Sequence, residues 1–182
     1  MEMILLGLRH ASDLATPIGP VWLVKMMTDL TALGGTTVLT LITVLVVLFL
    51  VLRGSTRTAA FVTVSVLGGW LLSTALKFGV ARPRPELVSH LVVVGDFSFP
   101  SGHAMLSAVT YLTLGALLSR IEERRSLKVS YLITALLLTI MIGCSRVYLG
   151  VHYPTDVVGG WTAGLAWATL CWLASHWVLL PP

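Results

Sequence analysis

Sixteen consecutive residues, 37–52 (TVLTLITVLVVLFLVL), carry no charge and end at Arg53, and four more apolar runs follow at 58–76, 103–119, 129–144 and about 157–180. Such runs have few ways to fold. With its backbone hydrogen bonds closed internally, each becomes a helix, and a helix of about 20 apolar residues crosses the hydrocarbon of a bilayer. The expected fold class is therefore all-α, a polytopic transmembrane helical bundle with five clear spans. The runs lack the alternation of a transmembrane barrel. Charged residues make up only 11% of the chain and apolar residues 56%, against roughly a quarter charged in soluble domains. The spans and their connections consume nearly all of the 182 residues, so 1–182 is read as a single membrane-embedded domain.

Residues 1–35 have a different texture. Arg9, His10, Asp13, Lys25 and Asp29 interrupt the apolar residues, and Pro17 and Pro20 break the middle. Two short interfacial helices are expected here, near 3–11 and 20–33. The acidic leading end, MEMILLGLRH, argues against a cleavable signal peptide. Segment 78–102 is too rich in proline, glycine and charge to sit in lipid, and RIEERRSLK at 120–128 is a charged turn. Cys144 and Cys171 fall within apolar runs and are expected to be buried, unpaired packing residues. The formal charge of +4 does not point to nucleic acid, because the basic residues sit at span edges and form no stripe interleaved with aromatics.

Counting spans places the N-terminal segment, 78–102 and 145–156 on one side of the membrane, and 53–57, 120–128 and the C-terminus on the other. The second side carries Arg53, Arg57, Arg120, Arg124, Arg125 and Lys128. The first carries as many basic residues, but Lys77, Arg82, Arg84 and Arg146 belong to short polar strings with a chemical use of their own. Discounting them puts that end on the extracytoplasmic face of the cell's inner (plasma) membrane.

Those strings are KFGVARPRP at 77–85, PSGH at 100–103 and SRVYLGVHYPTD at 145–156. They supply three cations suited to phosphate oxygens (Lys77, Arg84, Arg146), two histidines (His103, His152) and a carboxylate four residues after the second histidine, Asp156. Arginine forks and a lysine point charge can neutralise a phosphate as its phosphorus is attacked, without a metal. No carboxylate–histidine cluster in the sequence resembles a metal cage. His152 is the candidate nucleophile, and Asp156 has the spacing to fix its tautomer from the first turn of the last helix. His103 is the candidate general acid and base. Ser101 and the Gly102 amide precede a span, where donors at a helix N-terminus face an anion. Arg82 is left as a headgroup contact; His10, His90, His176, Trp22 and Trp177 are read as surface or interfacial residues. Arginine does not stand six residues after either thiol, where Gly150 and Trp177 are found, so a cysteine phosphatase is excluded.

Order and spacing together resemble the signature of the type 2 phosphatidic acid phosphatase superfamily: Lys, six residues, Arg-Pro; then Pro-Ser-Gly-His; then Ser-Arg, five residues, His, three residues, Asp. Every signature position is matched, as Lys77, Arg84, Pro85, Pro100, Ser101, Gly102, His103, Ser145, Arg146, His152 and Asp156. The resemblance implies hydrolysis of a terminal phosphate from a membrane lipid through a phosphohistidine, with no metal and no cofactor. Its substrates would be undecaprenyl pyrophosphate, phosphatidylglycerol phosphate, phosphatidic acid or diacylglycerol pyrophosphate. It also implies that Lys77, Arg84, Ser101, Gly102 and Arg146 hold the phosphate and that Ser145 gives a supporting hydrogen bond. A lipid phosphotransferase using the same intermediate, or a non-catalytic membrane scaffold or transporter, are the alternatives. Members of that family usually have one span more than the five seen here. The segment before Thr36 resembles the stretch that follows a first span, as in a chain truncated at its start.

Overall fold

The glycines at 160 and 164 set how tightly this bundle closes. In lipid, helices gain little from hiding apolar surface, so small residues that let backbones approach govern packing. A Cβ on Gly160 would stand 2.7 Å from the Ser101 carbonyl oxygen, and one on Gly164 would stand 2.6 Å from that of Met105. The last helix therefore lies directly on the helix that begins at Gly102. Its tryptophans reach the other neighbours: the Trp161 indole covers Gly143 and donates to the Thr139 carbonyl at 3.0 Å, and Trp167 covers Gly68 and donates to the Ser65 carbonyl at 2.8 Å.

The structure is a computed structural model that describes residues 2–92 and 94–179, with side chains as far as Ser175. The elements are α1 (Glu2–Gly7), β1 (Arg9–His10), β2 (Asp13–Pro17), α2 (Val21–Ala32), α3 (Thr36–Leu52), α4 (Thr56–Val80), α5 (Gly102–Ile121), α6 (Arg125–Tyr148) and α7 (Pro154–Leu179). Helices α4 to α7 are each long and apolar enough to cross a membrane; α2 and α3, bent by 45° at their break, pass the same test only when taken together, which gives four candidate spans, or five with that bent pair counted as one. Ala104, Met105, Ala108 and Val109 on α5 are fully buried, so α5 is the core, while Leu41, Val44, Leu132 and Leu165 face outward as lipid contacts would.

The bend between α2 and α3 has a local cause. A Cβ on Gly34 would collide with the Ile142 side chain and stand 3.3 Å from the His103 carbonyl oxygen. Only glycine lets the chain pass so close to the start of α5. Tyr111 then ties the corner down by donating to the Leu33 carbonyl at 2.8 Å.

Two expectations are corrected. The helix expected over 3–11 ends at Gly7, and an antiparallel hairpin follows, pairing Arg9 with Pro17 and His10 with Asp13. Asp13 accepts from the Ala15 amide at 3.0 Å and from the Thr16 hydroxyl at 2.6 Å, a local turn that competes with helix. Cys144 is exposed on the lipid side of α6, because its neighbour Gly143 takes the inward position under Trp161; Cys171 is half-buried, and both thiols are free. His10, His90 and Trp22 are exposed as expected. The side chains of His176 and Trp177 lie outside the described residues.

The C-terminal ends of α4 and α6 and the N-terminal ends of α5 and α7 meet at one end of the bundle, together with the α2–α3 corner. That end holds all three polar strings.

Candidate active site

His152 sits on a short loop between α6 and α7 that is held from four directions. Gly150 has φ +78, and a Cβ there would lie 2.6 Å from Arg9 Nη2 and 3.1 Å from the Ser89 oxygen, so glycine is required for both conformation and space. Arg9, buried at 4% exposure, donates through Nη1 to the Tyr148 carbonyl at 3.0 Å. The Leu91 amide donates to the Leu149 carbonyl at 3.1 Å, and Arg84 Nη1 to the Val151 carbonyl at 2.7 Å. Leu8, Leu23, Val24 and Met27 of the N-terminal segment pack on Tyr148, Leu149 and Val151.

The ring itself is almost fully buried, at 1% exposure. Arg84 Nη1 lies 3.0 Å from its Nε2. A guanidinium can only donate, so Nε2 presents a lone pair and the ring proton sits on Nδ1. Nδ1 stands 3.6 Å from Asp156 Oδ2, too far for a direct hydrogen bond, and 3.4 Å from Ser98 Oγ, which donates to that same carboxylate oxygen at 2.5 Å. Ser98 therefore bridges the pair. Asp156, completely buried, also accepts from the Tyr153 amide at 2.9 Å and from Arg82 Nη1 at 2.8 Å. Burial pushes the His152 imidazole down to about 4; Asp156 pulls the other way, and the charges of Arg84, Arg146 and Lys77 add to the depression. At neutral pH the ring is uncharged.

In front of His152 lies a cavity of about 590 Å³ whose lining includes Lys77, Arg84, Gly102, His103 and Arg146. Arg146 is 3% exposed; its Nη1 donates to Thr31 Oγ1 at 3.0 Å and its Nε has no partner. Among the described residues no carboxylate pairs with it. An uncompensated buried charge costs several kcal/mol, so an anion entering this cavity would be strongly favoured. Lys77 and Arg84 share the Asp96 carboxylate: Lys77 Nζ lies 3.0 Å from Oδ2, Arg84 Nη2 holds Oδ1, and Lys77 also donates to the Phe97 carbonyl at 2.5 Å. Burial alone would raise the Asp96 carboxyl, but the hydrogen bonds from Lys77 and Arg84 outweigh it and hold it down at about 2.

The strings thus bring Lys77, Arg84, Gly102, His103, Arg146 and His152 to one cavity, with Asp156 behind His152. Ser101 does not line the cavity; its hydroxyl caps α5, accepting from the Ala104 amide at 3.5 Å. Ser145 bonds within its own helix, donating to the Ile142 carbonyl at 2.6 Å. Arg82 does not line the cavity where a headgroup would enter. It bonds Asp156 and Thr155 and lies 4.3 Å above the Tyr153 ring, because a buried carboxylate needs a counter-charge. Asp96, Ser98, Thr31 and Arg9 are contributors that the sequence reading missed. The first two stand just ahead of the second string, in DFSFPSGH, the only signal they gave. Beside the polar cavity runs an apolar groove of about 280 Å³ along α3 and α4, and the two share Thr36, Trp70 and Leu106.

Comparison with known proteins agrees with this geometry. Phosphatidylglycerophosphatase B of Bacillus subtilis is 34% identical over 158 residues, covering 85% of this chain and 76% of its own. An undecaprenyl-diphosphatase of Sulfolobus acidocaldarius is 32% identical over 116 residues, covering 61% of this chain and 50% of its own. The crystal structure of a transmembrane PAP2-type phosphatidylglycerolphosphate phosphatase from Bacillus subtilis superimposes with a TM-score of 0.82 at 31% identity, covering 88% of this chain and 80% of that one. Residues 58–179, which contain every string and both histidines, match the profile of the PAP2 superfamily, and the chain belongs to that superfamily.

Proposed function

We propose that this enzyme, a membrane lipid phosphatase, removes the terminal phosphate of a lipid phosphate or pyrophosphate through a phosphohistidine formed on His152. The observation that carries the reading is Arg146: a buried cation with no carboxylate partner among the described residues, facing the same cavity as both histidines. The adjoining apolar groove favours a lipid, whose chain would stay in it while the headgroup enters the cavity. Phosphatidylglycerol phosphate is the first substrate to test, since the relative covering 85% of the chain is named for it; undecaprenyl pyrophosphate is the second. The active end would face away from the cytoplasm, opposite the arginine-rich turns.

In the first step the Nε2 lone pair of His152 attacks phosphorus, the P–N bond forms, and the bond to the leaving oxygen breaks. Protonated His103 gives that oxygen its proton. In the second step neutral His103 takes a proton from water, whose oxygen attacks phosphorus; the P–N bond breaks and orthophosphate leaves. Lys77, Arg84, Arg146 and the Gly102 amide would hold the phosphoryl oxygens, as oxyanion donors do. Asp156, through Ser98, keeps the proton on Nδ1 and steadies the charge that His152 gains.

Two outcomes test this scheme. Positive charge in the cavity comes from side chains, and among the described residues no three His, Cys, Asp or Glu stand together as a metal cage. Phosphate release from detergent-solubilised enzyme should therefore persist in excess chelator, and loss restored only by magnesium would contradict the scheme. His103→Ala should slow an alkyl phosphate by roughly 10²–10⁴-fold, the usual contribution of general acid catalysis. A substrate with an acidic leaving group should recover much of the first step. Equal loss of the first-step rate, read as the burst of leaving group, with both substrates would withdraw the acid role.

A further inference from the structure

Asp96 occupies the place where a phosphate is to bind. Its carboxylate takes one oxygen to Lys77 and the other to Arg84, and the Arg84 Nε donates in addition to the Asp96 carbonyl at 2.8 Å. The side chains of the two cations are nearly enclosed, at 12% and 10% exposure, whereas Asp96 is 58% exposed. The carboxylate therefore sits on the cations from outside, as an incoming ligand would, and it belongs to the loop between α4 and α5 rather than to any packed helix. Two of the three cavity cations are engaged by it; among the described residues Arg146 has no anionic partner.

We infer that Asp96 is a specificity residue, an internal competing anion that keeps the cation pair from filling with the phosphodiester headgroups of the surrounding membrane. The inference rests on the reading of this cavity as a phosphate site. A phosphodiester brings one charge, no more than the carboxylate it must displace, and the carboxylate is tethered, so its effective concentration is high. A terminal phosphate brings between one and two charges and a third free oxygen, enough to engage Lys77, Arg84 and Arg146 together. Exchange favours the monoester or the pyrophosphate and leaves bulk lipid outside. Specificity here comes from an occupant that the wrong ligand cannot displace.

The test compares wild type with Asp96→Asn, which removes the charge while keeping a carbonyl oxygen for one cation. Binding of inorganic phosphate is read from protection against thermal unfolding in detergent, and inhibition of turnover is read in mixed micelles with and without phosphatidylglycerol. Asp96→Asn should bind phosphate about tenfold more tightly or better, as expected if the carboxylate holds the site closed nine times in ten. KM should fall, and phosphatidylglycerol should become an inhibitor where it is none for wild type. A residue that merely organised Lys77 and Arg84 would give the opposite sign, and a misfolded variant cannot gain affinity. Unchanged or weaker phosphate binding in both Asp96→Asn and Asp96→Ala, with wild type active on lipid phosphates, overturns this role alone. Failure of wild type to bind phosphate or hydrolyse any lipid phosphate would overturn the phosphate site itself, and this inference with it.

Discussion

His152→Ala should abolish turnover, lowering kcat by roughly 10⁴-fold or more, because a nucleophile that acts as a unit with its partners takes nearly the whole rate with it when removed. The variant should stay folded enough to bind orthophosphate, since Lys77 and Arg146 do not bond the imidazole and Arg84, which loses its contact with Nε2, keeps those to the Val151 carbonyl and Asp96. The loop that carries it is held by Arg9, Leu91 and Arg84 through main-chain carbonyls, and none of these contacts uses the imidazole. Measuring kcat beside phosphate protection separates the two effects. Near-normal turnover in this variant would dismiss His152 as the attacking group.

Asp156→Asn should lower the rate by on the order of 10³–10⁴-fold while phosphate affinity stays close to wild type, as when a buried carboxylate partner of histidine becomes an amide. The amide still fills the space, but it no longer offers two anionic oxygens to Ser98, Arg82 and the Tyr153 amide, and the proton on His152 Nδ1 loses its anchor. Arg146→Ala behaves differently. It removes a buried cation that faces the cavity, so vanadate or phosphate inhibition should weaken along with turnover, by about 2–4 kcal/mol. Equal losses of inhibitor affinity in the two variants would mean that Asp156 shapes the pocket, and its role as partner of His152 would be withdrawn.

Much of this site could be read from the chain because its parts lie at span edges. Once five apolar runs are counted, parity alone sends 77–85, 100–103 and 145–156 to one end, and the structure places them there. Asp156 in the first turn of α7 followed from Pro154, which starts that helix. What could not be read depended on long-range pairing. Arg82 has the same residue type as Arg84 two positions on, yet it turns to Asp156 across 74 residues of sequence while Arg84 enters the cavity. Asp96 is one acid in a loop, and nothing local says that two cations close on it. Arg9 looks like a surface charge and is buried under the His152 loop. The hairpin of Arg9–His10 with Asp13–Pro17 has strands too short to show alternation, so the apolar start reads as helix from sequence. Gly34 offered no sign that His103 stands against it.

The decisive measurement is a trap of the phosphorylated enzyme. His103→Ala, given a labelled phosphate ester with an acidic leaving group, should complete the first step and stall at the second, for want of a base to activate water. Protein quenched within the first turnover and digested should carry label on His152, lost in acid and kept in alkali as a phosphoimidazole is, with none in a variant that also lacks His152. Phosphate released at full rate with no labelled protein, or label that survives removal of His152, would contradict the phosphohistidine mechanism.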